Sequence, residues 1–141
     1  MAVFHLEIAG AVAAVTSLFE STPHHFSAYL TEKCADFSIT VTEDDLRFEQ
    51  FDADEEAREE GFRLRKFPDP FLERAAIQRK FAEFLLERDT VLLHGSAVAV
   101  DGRGYLFTAR SGTGKSTHTR FWREVFGSRA VMINEDRKSV V

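Results

Sequence analysis

The segment 109–117, A-R-S-G-T-G-K-S-T, restricts what this chain can fold into more than any other stretch. It has the spacing of a phosphate-binding loop: a small residue, four others, then Gly114-Lys115-Ser116, with Ala109 where glycine is usual. Each part has a physical reason. Gly112 and Gly114 permit backbone angles and a closeness of approach that a side chain would block. Successive backbone N–H groups then converge on phosphate oxygens. Lys115 brings positive charge to the outer phosphates, and the Ser116 hydroxyl suits a magnesium ion. A helix after the loop directs its positive end at the same anion. The loop therefore demands a strand before it and a helix after it, and the sequence supplies both. Residues 104–109 (G-Y-L-F-T-A) are a short apolar, strand-like run. Residues 115–126 (K-S-T-H-T-R-F-W-R-E-V-F) read as a helix, with Phe121, Trp122, Val125 and Phe126 on one apolar face and Gly127 as its stop.

A nucleotide site needs a packed scaffold, and the composition allows one. The chain has 141 residues, 44% of them apolar, with 14 Phe. That is ample for one domain, or for two if one is small, and excludes global disorder. A net charge of −5 argues against a general binder of nucleic acid or of an anionic membrane. No run of about 18 apolar residues is present to span a bilayer. The opening segment alternates and carries His5 and Glu7, unlike a signal peptide. The lone Cys34 suits a reducing compartment and is expected as a packing residue. The expectation is a cytoplasmic globular protein.

In chain order, residues 3–8 alternate as a half-buried strand, with His5 facing solvent. Residues 11–19 are a second strand or a connector. Thr22-Pro23 caps and opens a short helix over 24–33. His24 and His25 are adjacent, diverge by about 100° on a helix, and do not chelate together. Residues 36–42 (D-F-S-I-T-V-T) alternate as a strand with Phe37, Ile39 and Val41 inward. Thr42 and Asp45 form a variant capping box for another short helix. The acidic stretch 52–60 (D-A-D-E-E-A-R-E-E) lacks the glycine-turned, oxygen-rich pattern of a calcium loop and reads as a solvated helix or mobile loop. Residues 61–70 form a loop of opposite charge, carrying Arg63, Arg65 and Lys66. Asp69-Pro70 opens the longest helix, to about Arg88, with Ile77, Phe81, Phe84 and Leu85 as its core stripe.

Residues 89–100 contain an apolar run broken by His94-Gly95-Ser96. Asp101-Gly102-Arg103-Gly104 is a hairpin-type turn into the strand before the loop. Two antiparallel strands are thus expected ahead of the loop, where βαβ folds have parallel ones. Residues 129–135 (R-A-V-M-I-N-E) read as a buried strand ending at Glu135-Asp136. Carboxylates at a strand end shortly after a phosphate loop are where a magnesium-side acid belongs. An acidic strand exit with no such role is the plainer alternative.

The run L-L-H-G-S-A-V-A-V-D-G-R-G-Y-L-F-T-A-R-S-G-T-G-K-S-T-H resembles the kinase domain of HPr kinase/phosphorylase, and more closely the bacterial HPr-serine-kinase-like proteins. ATP-dependent phosphoenolpyruvate carboxykinase is similar more distantly, sharing S-G-T-G-K and the antiparallel strands. The specific resemblance covers about residues 90–141. It implies an α/β fold: a mixed sheet whose antiparallel hairpin leads into a P-loop (residues 68–141), with a small α+β lead-in lobe (1–67). It implies ATP and Mg2+ as cofactors. Ser111, Gly112, Thr113, Gly114, Lys115, Ser116 and Thr117 would bind nucleotide, Ser116 and Asp136 the metal, with His94, Lys115 and Glu135 catalytic. His94 alone reads as a core histidine; the resemblance places it beside the transferred phosphate. His118 is a supporting group or helix surface.

The family has Asp-Asp where this chain has Glu135-Asp136, and its members continue further. A truncated gene product, or completion of the site in a homo-oligomer, is expected. The implied activity is transfer of phosphate to a protein serine or small metabolite, with no nucleic-acid or membrane partner. A non-catalytic nucleotide-binding module, or remnant of such a kinase, is the alternative. A carboxykinase-like lyase would need a metal-binding lysine and a substrate arginine, and neither is evident.

Overall fold

The computed structural model describes residues 1–93, 95–109 and 113–134. It is α/β and divides into two compact units, Met1–Val91 and Leu92–Val141.

The first unit is built on a three-stranded sheet. Strands β1 (Ala2–Ile8) and β2 (Ala11–Ser17) form an antiparallel hairpin, and β3 (Phe37–Thr40) adds parallel to β2. Ala9 and Gly10 turn the hairpin, both at positive φ (52° and 79°), the geometry that matches the twist of paired strands. Helix α1 (Thr22–His25) and a turn of 3-10 helix, Ser27–Tyr29, follow β2. Helices α2 (Glu43–Glu60) and α3 (Asp69–Leu86) complete the unit.

Thr42 sets the start of α2. Its hydroxyl accepts from the Asp45 amide at 3.4 Å, and the Asp45 carboxylate accepts from the Thr42 amide at 2.8 Å. Gly61, at φ 73°, ends it. The acidic stretch continues the same helix instead of forming a separate element. Asp45, Glu49 and Glu83 share Arg79, and Asp45 also takes Lys80 at 2.8 Å, so the polar side of α2 is tied to α3. Burial alone raises the Asp45 carboxyl's pKa; hydrogen bonds from Lys80 and Thr42 outweigh it and hold it below its ordinary value.

Helix α3 presents Leu72, Ala76, Ile77, Phe81 and Leu85 to one buried cluster with Leu6, Ala13, Val15, Phe26 and Ile39. Phe37 stacks on Phe84 at 3.6 Å and meets Phe81 edge-on at 5.1 Å. Helix α3 therefore belongs to the core of the first unit. The boundary falls after Val91 and not after Phe67, because the apolar stripe of α3 is what covers that sheet.

Four local expectations are corrected here. The helix expected over 24–33 is only the four residues of α1. Thr22 lies inside it and donates its hydroxyl to the buried Glu73 instead of capping. The chain then turns through the buried Phe26, so that Leu30 bridges to Leu6 of β1. Cys34 is exposed and not packed. His5 is half-buried, its Nδ1 2.7 Å from the Lys33 carbonyl.

The second unit has strands β4 (Ser96–Val100), β5 (Arg103–Phe107) and β6 (Ala130–Asn134), in the order β5-β4-β6. Helix α4 (Lys115–Phe126) precedes β6. All described pairings in this sheet are antiparallel, so mixed pairing occurs in the first sheet and not here. Asp101 and Gly102, at φ 51° and 77°, make a two-residue turn between β4 and β5. Arg129 grips the Asp101 carboxylate through Nε at 2.9 Å and through a second guanidinium nitrogen. That hydrogen bond lowers the Asp101 pKa. Val98 and Val100 are buried, whereas Val131 and Ile133 are 62% and 60% exposed. Strand β6 is thus half-buried, because α4 covers one face of the sheet and those side chains alternate to the other. On α4 itself Trp122 and Phe126 are half-buried while Phe121 and Val125 are exposed, so the four do not share one face as expected. Among the described residues no helix is long and apolar enough to cross a membrane.

Candidate functional site

Register decides which residues can meet in the second unit. Ser96 opposes Phe107, and Ala97 opposes Asn134. Because β4 runs against both neighbours, its start lies with the ends of β5 and β6. Two close contacts fix this end. The Asn134 amide donates to the Gly95 carbonyl at 2.8 Å. A Cβ at Gly95 would stand 2.8 Å from the Phe107 carbonyl oxygen, so only glycine fits there. One end of the sheet therefore gathers Gly95, which follows His94; Phe107, which leads to the glycine-rich segment; and Asn134, which precedes Glu135. His94, Ser111, Gly112, Glu135 and Asp136 themselves lie outside the described residues.

Gly114 is at φ 90°, a left-handed conformation that glycine adopts without penalty, and α4 starts directly after it. No side chain caps that start. Lys115 is the first helical residue and is 7% exposed, and its ammonium donates to the Ala109 carbonyl at 2.7 Å. That bond joins the end of the strand segment to the start of the helix, with Thr108, Ala109, Thr113, Gly114 and Lys115 around a shallow hollow of about 400 Å3. A larger hollow of about 600 Å3, lined by Arg120, Arg123 and Ser128, lies toward the other end of α4 and includes none of these residues.

The helix is held in place by its own sequence. Thr119, one turn after Lys115, is fully buried and donates to the Ser116 carbonyl at 3.0 Å. Trp122 meets Tyr105 at 4.7 Å, Phe107 at 5.4 Å and Phe126 at 5.3 Å between ring centres. These rings pin α4 to β5, so the Lys115 end cannot shift relative to the strand without breaking aromatic contacts.

Of the expected nucleotide-binding residues, Thr113, Gly114 and Lys115 border the hollow with Ala109. Ser116 is half-buried and Thr117 exposed on the first turn, and neither borders it. His118 does: its amide bonds the Gly114 carbonyl at 2.9 Å and its ring meets the Phe107 edge at 4.7 Å. Its spacing, four residues from both Gly114 and Trp122, is the sequence signal for this place. The part of Thr119 and Trp122 in seating the helix is likewise legible from i, i+4 spacing.

Among the described residues no group of three or more His, Cys, Asp or Glu converges as a metal site. The Lys115 ammonium and the amides at the start of α4 are of the kind that suits a phosphate, and the Ser116 hydroxyl on the same turn is of the kind that ligates an oxygen-seeking Mg2+. Comparison with protein-family models, curated proteins and solved structures gives no significant match.

Proposed function

We propose that this chain is a Mg-ATP-binding P-loop phosphotransferase of the HPr-kinase-like type, acting in the cytoplasm on a protein serine or a small metabolite. One observation carries the reading: the start of β4, the end of β5 with the Gly114-Lys115 helix start, and the end of β6 share one end of an antiparallel sheet. The three segments that the motif would need are therefore neighbours in register.

In this reading Lys115 leaves the Ala109 carbonyl for the β- and γ-phosphates, and the Gly112–Ser116 amides cradle them. Ser116 and Asp136 would hold Mg2+, which when bound would supply positive charge against the polyphosphate. The acceptor hydroxyl oxygen bonds to the γ-phosphorus, the bond to the β-bridging oxygen breaks and ADP leaves. The acceptor proton passes to Glu135 or His94. Catalysis is then chiefly positioning and charge stabilisation.

Glu135 supports a second reading, a non-catalytic nucleotide-binding module. One extra methylene relative to Asp moves a carboxylate by about 1 Å, enough to cost roughly a hundredfold in rate. Calorimetric titration with a non-hydrolysable ATP analogue plus Mg2+ tests both readings. Wild type should bind and Lys115→Ala should bind at least about tenfold more weakly. Equal binding by the two proteins, or none by wild type, rejects the nucleotide site. ATP turnover by wild type, lost in Lys115→Ala, separates the kinase from the module.

A further inference from the structure

Helix α2 and the segment after it form a surface on the first unit that the nucleotide reading does not use. Residues 62–67 (F-R-L-R-K-F) are neither helix nor strand and run back along α2. Gln50 fixes them there: its side-chain amide donates to the Arg65 carbonyl at 3.0 Å, and its oxygen accepts from the Phe67 amide at 2.9 Å. The strap holds Phe62 and Leu64 in solvent, 57% and 48% exposed, between the exposed cations Arg63, Arg65 and Lys66. None of these three cations makes an ion pair among the described residues.

The outward face of α2 has the opposite charge and the same apolar character. Two i, i+4 rows run along it, Phe48-Asp52-Glu56 and Phe51-Glu55-Glu59. Phe48 and Phe51 are 48% and 61% exposed. Glu55 pairs with Arg58, and Arg47 with Glu43 and Asp44, but Asp52, Glu56 and Glu59 have no ion-pair partner among the described residues. One unit therefore carries both an acidic face and a basic strap, each bearing exposed aromatic or aliphatic side chains. Aromatic side chains and Arg are the residues enriched at interface centres.

We propose that the chain self-associates as a two-fold dimer, in which the basic strap of each copy lies on the acidic, Phe-bearing face of α2 of the other. A two-fold arrangement pairs strap with helix face twice and closes, whereas a one-sided contact leaves one strap and one face unpaired. A second copy is the occupant because it carries both complements at once. Phe48, Phe51, Phe62 and Leu64 then lose water together, and the charges set the register.

Sedimentation of the full chain across concentration, at low and high salt, is the test. The wild type is expected as a concentration-dependent dimer that dissociates between about 0.05 and about 0.5 M salt. Arg63→Glu with Arg65→Glu and Lys66→Glu should weaken association by about a hundredfold, as should Asp52→Lys with Glu56→Lys and Glu59→Lys. Mixing the two triple variants should restore a dimer of one copy of each, because every reversed charge again meets its opposite. A wild type that stays monomeric at low salt overturns the proposal. So does a dimer indifferent to salt and to both reversals, or a mixture that does not associate. Higher oligomers overturn the two-fold form. The salt series uses unaltered protein, so it decides the matter even if a variant misfolds.

Discussion

Glu73 offers the sharpest test of how the first unit is held together. It sits on α3 with no exposed surface, and its carboxylate accepts from the Leu18 amide and from the Thr22 hydroxyl, itself 1% exposed. The end of β2, helix α1 and helix α3 thus meet on one side chain. Glu73→Ala strands two donors at once. A buried donor without a partner costs about 1–3 kcal/mol, in full for Thr22 and in part for the half-buried Leu18 amide. Burying a carboxylate is itself unfavourable, and removing it returns some of that. The net loss is about 2–4 kcal/mol, or roughly 10–25 °C in the melting temperature of a unit this size. Glu73→Gln keeps the volume and one acceptor and should lose about half as much. Glu73→Leu combined with Thr22→Val, which removes acceptor and hydroxyl together, should recover about 1 kcal/mol relative to Glu73→Leu alone. Chemical denaturation followed by far-UV circular dichroism reads the loss. Fluorescence of Trp122, the sole tryptophan, follows the second unit separately. If Glu73→Ala and Glu73→Gln both stay within about 0.5 kcal/mol of wild type, the reasoning is wrong.

Gly95→Ala should distort the start of β4, since the Phe107 carbonyl oxygen cannot yield 2.8 Å to a methyl without moving β5. The expected result is a loss of about 1–3 kcal/mol in the Trp122 transition with the first unit unaffected; an unchanged transition would refute the close approach. Acid should weaken the α2–α3 contact through Asp45. Its pKa is lower in the folded chain than its ordinary 3.8, so its contribution is fully present above that value and fades as pH falls through the folded value. Asp45→Asn should therefore flatten the pH dependence of stability below about pH 4; an unaltered slope would assign acid sensitivity elsewhere.

Elements whose signals are local were legible in the sequence. The alternation in β1 and β3, the Thr42–Asp45 box and the Asp101–Gly102 turn each depend on residues within a few positions, and each appears where expected. So does α3, from Asp69, through the periodic stripe of Ile77, Phe81 and Leu85. Long-range competition defeated the rest. Thr22 has the right identity for a cap, but Glu73, far along the chain, takes its hydroxyl. Nothing local reveals that α3 covers the first sheet, because an apolar stripe states that a helix is buried and not against what. At the candidate site glycine spacing marks a loop before a helix, and α4 does begin at Lys115 directly after a left-handed Gly114, while residues 110–112 of that loop lie outside the described residues. His118, by sequence a supporting group or helix surface, takes its place at the hollow through the ring of Phe107 on a neighbouring strand.

The Asp101–Gly102 turn also bears on how quickly the second unit takes shape. Strands β4 and β5 pair through a two-residue connection, so little chain entropy is lost before their contacts form. Such hairpins close in about 1–10 µs, whereas the parallel pairing of β2 with β3 must first order the long segment between them. The strand that leads to Ala109 is therefore laid down early in folding. Lys115 then needs only the adjacent helix, a local event, to reach the carbonyl that holds it.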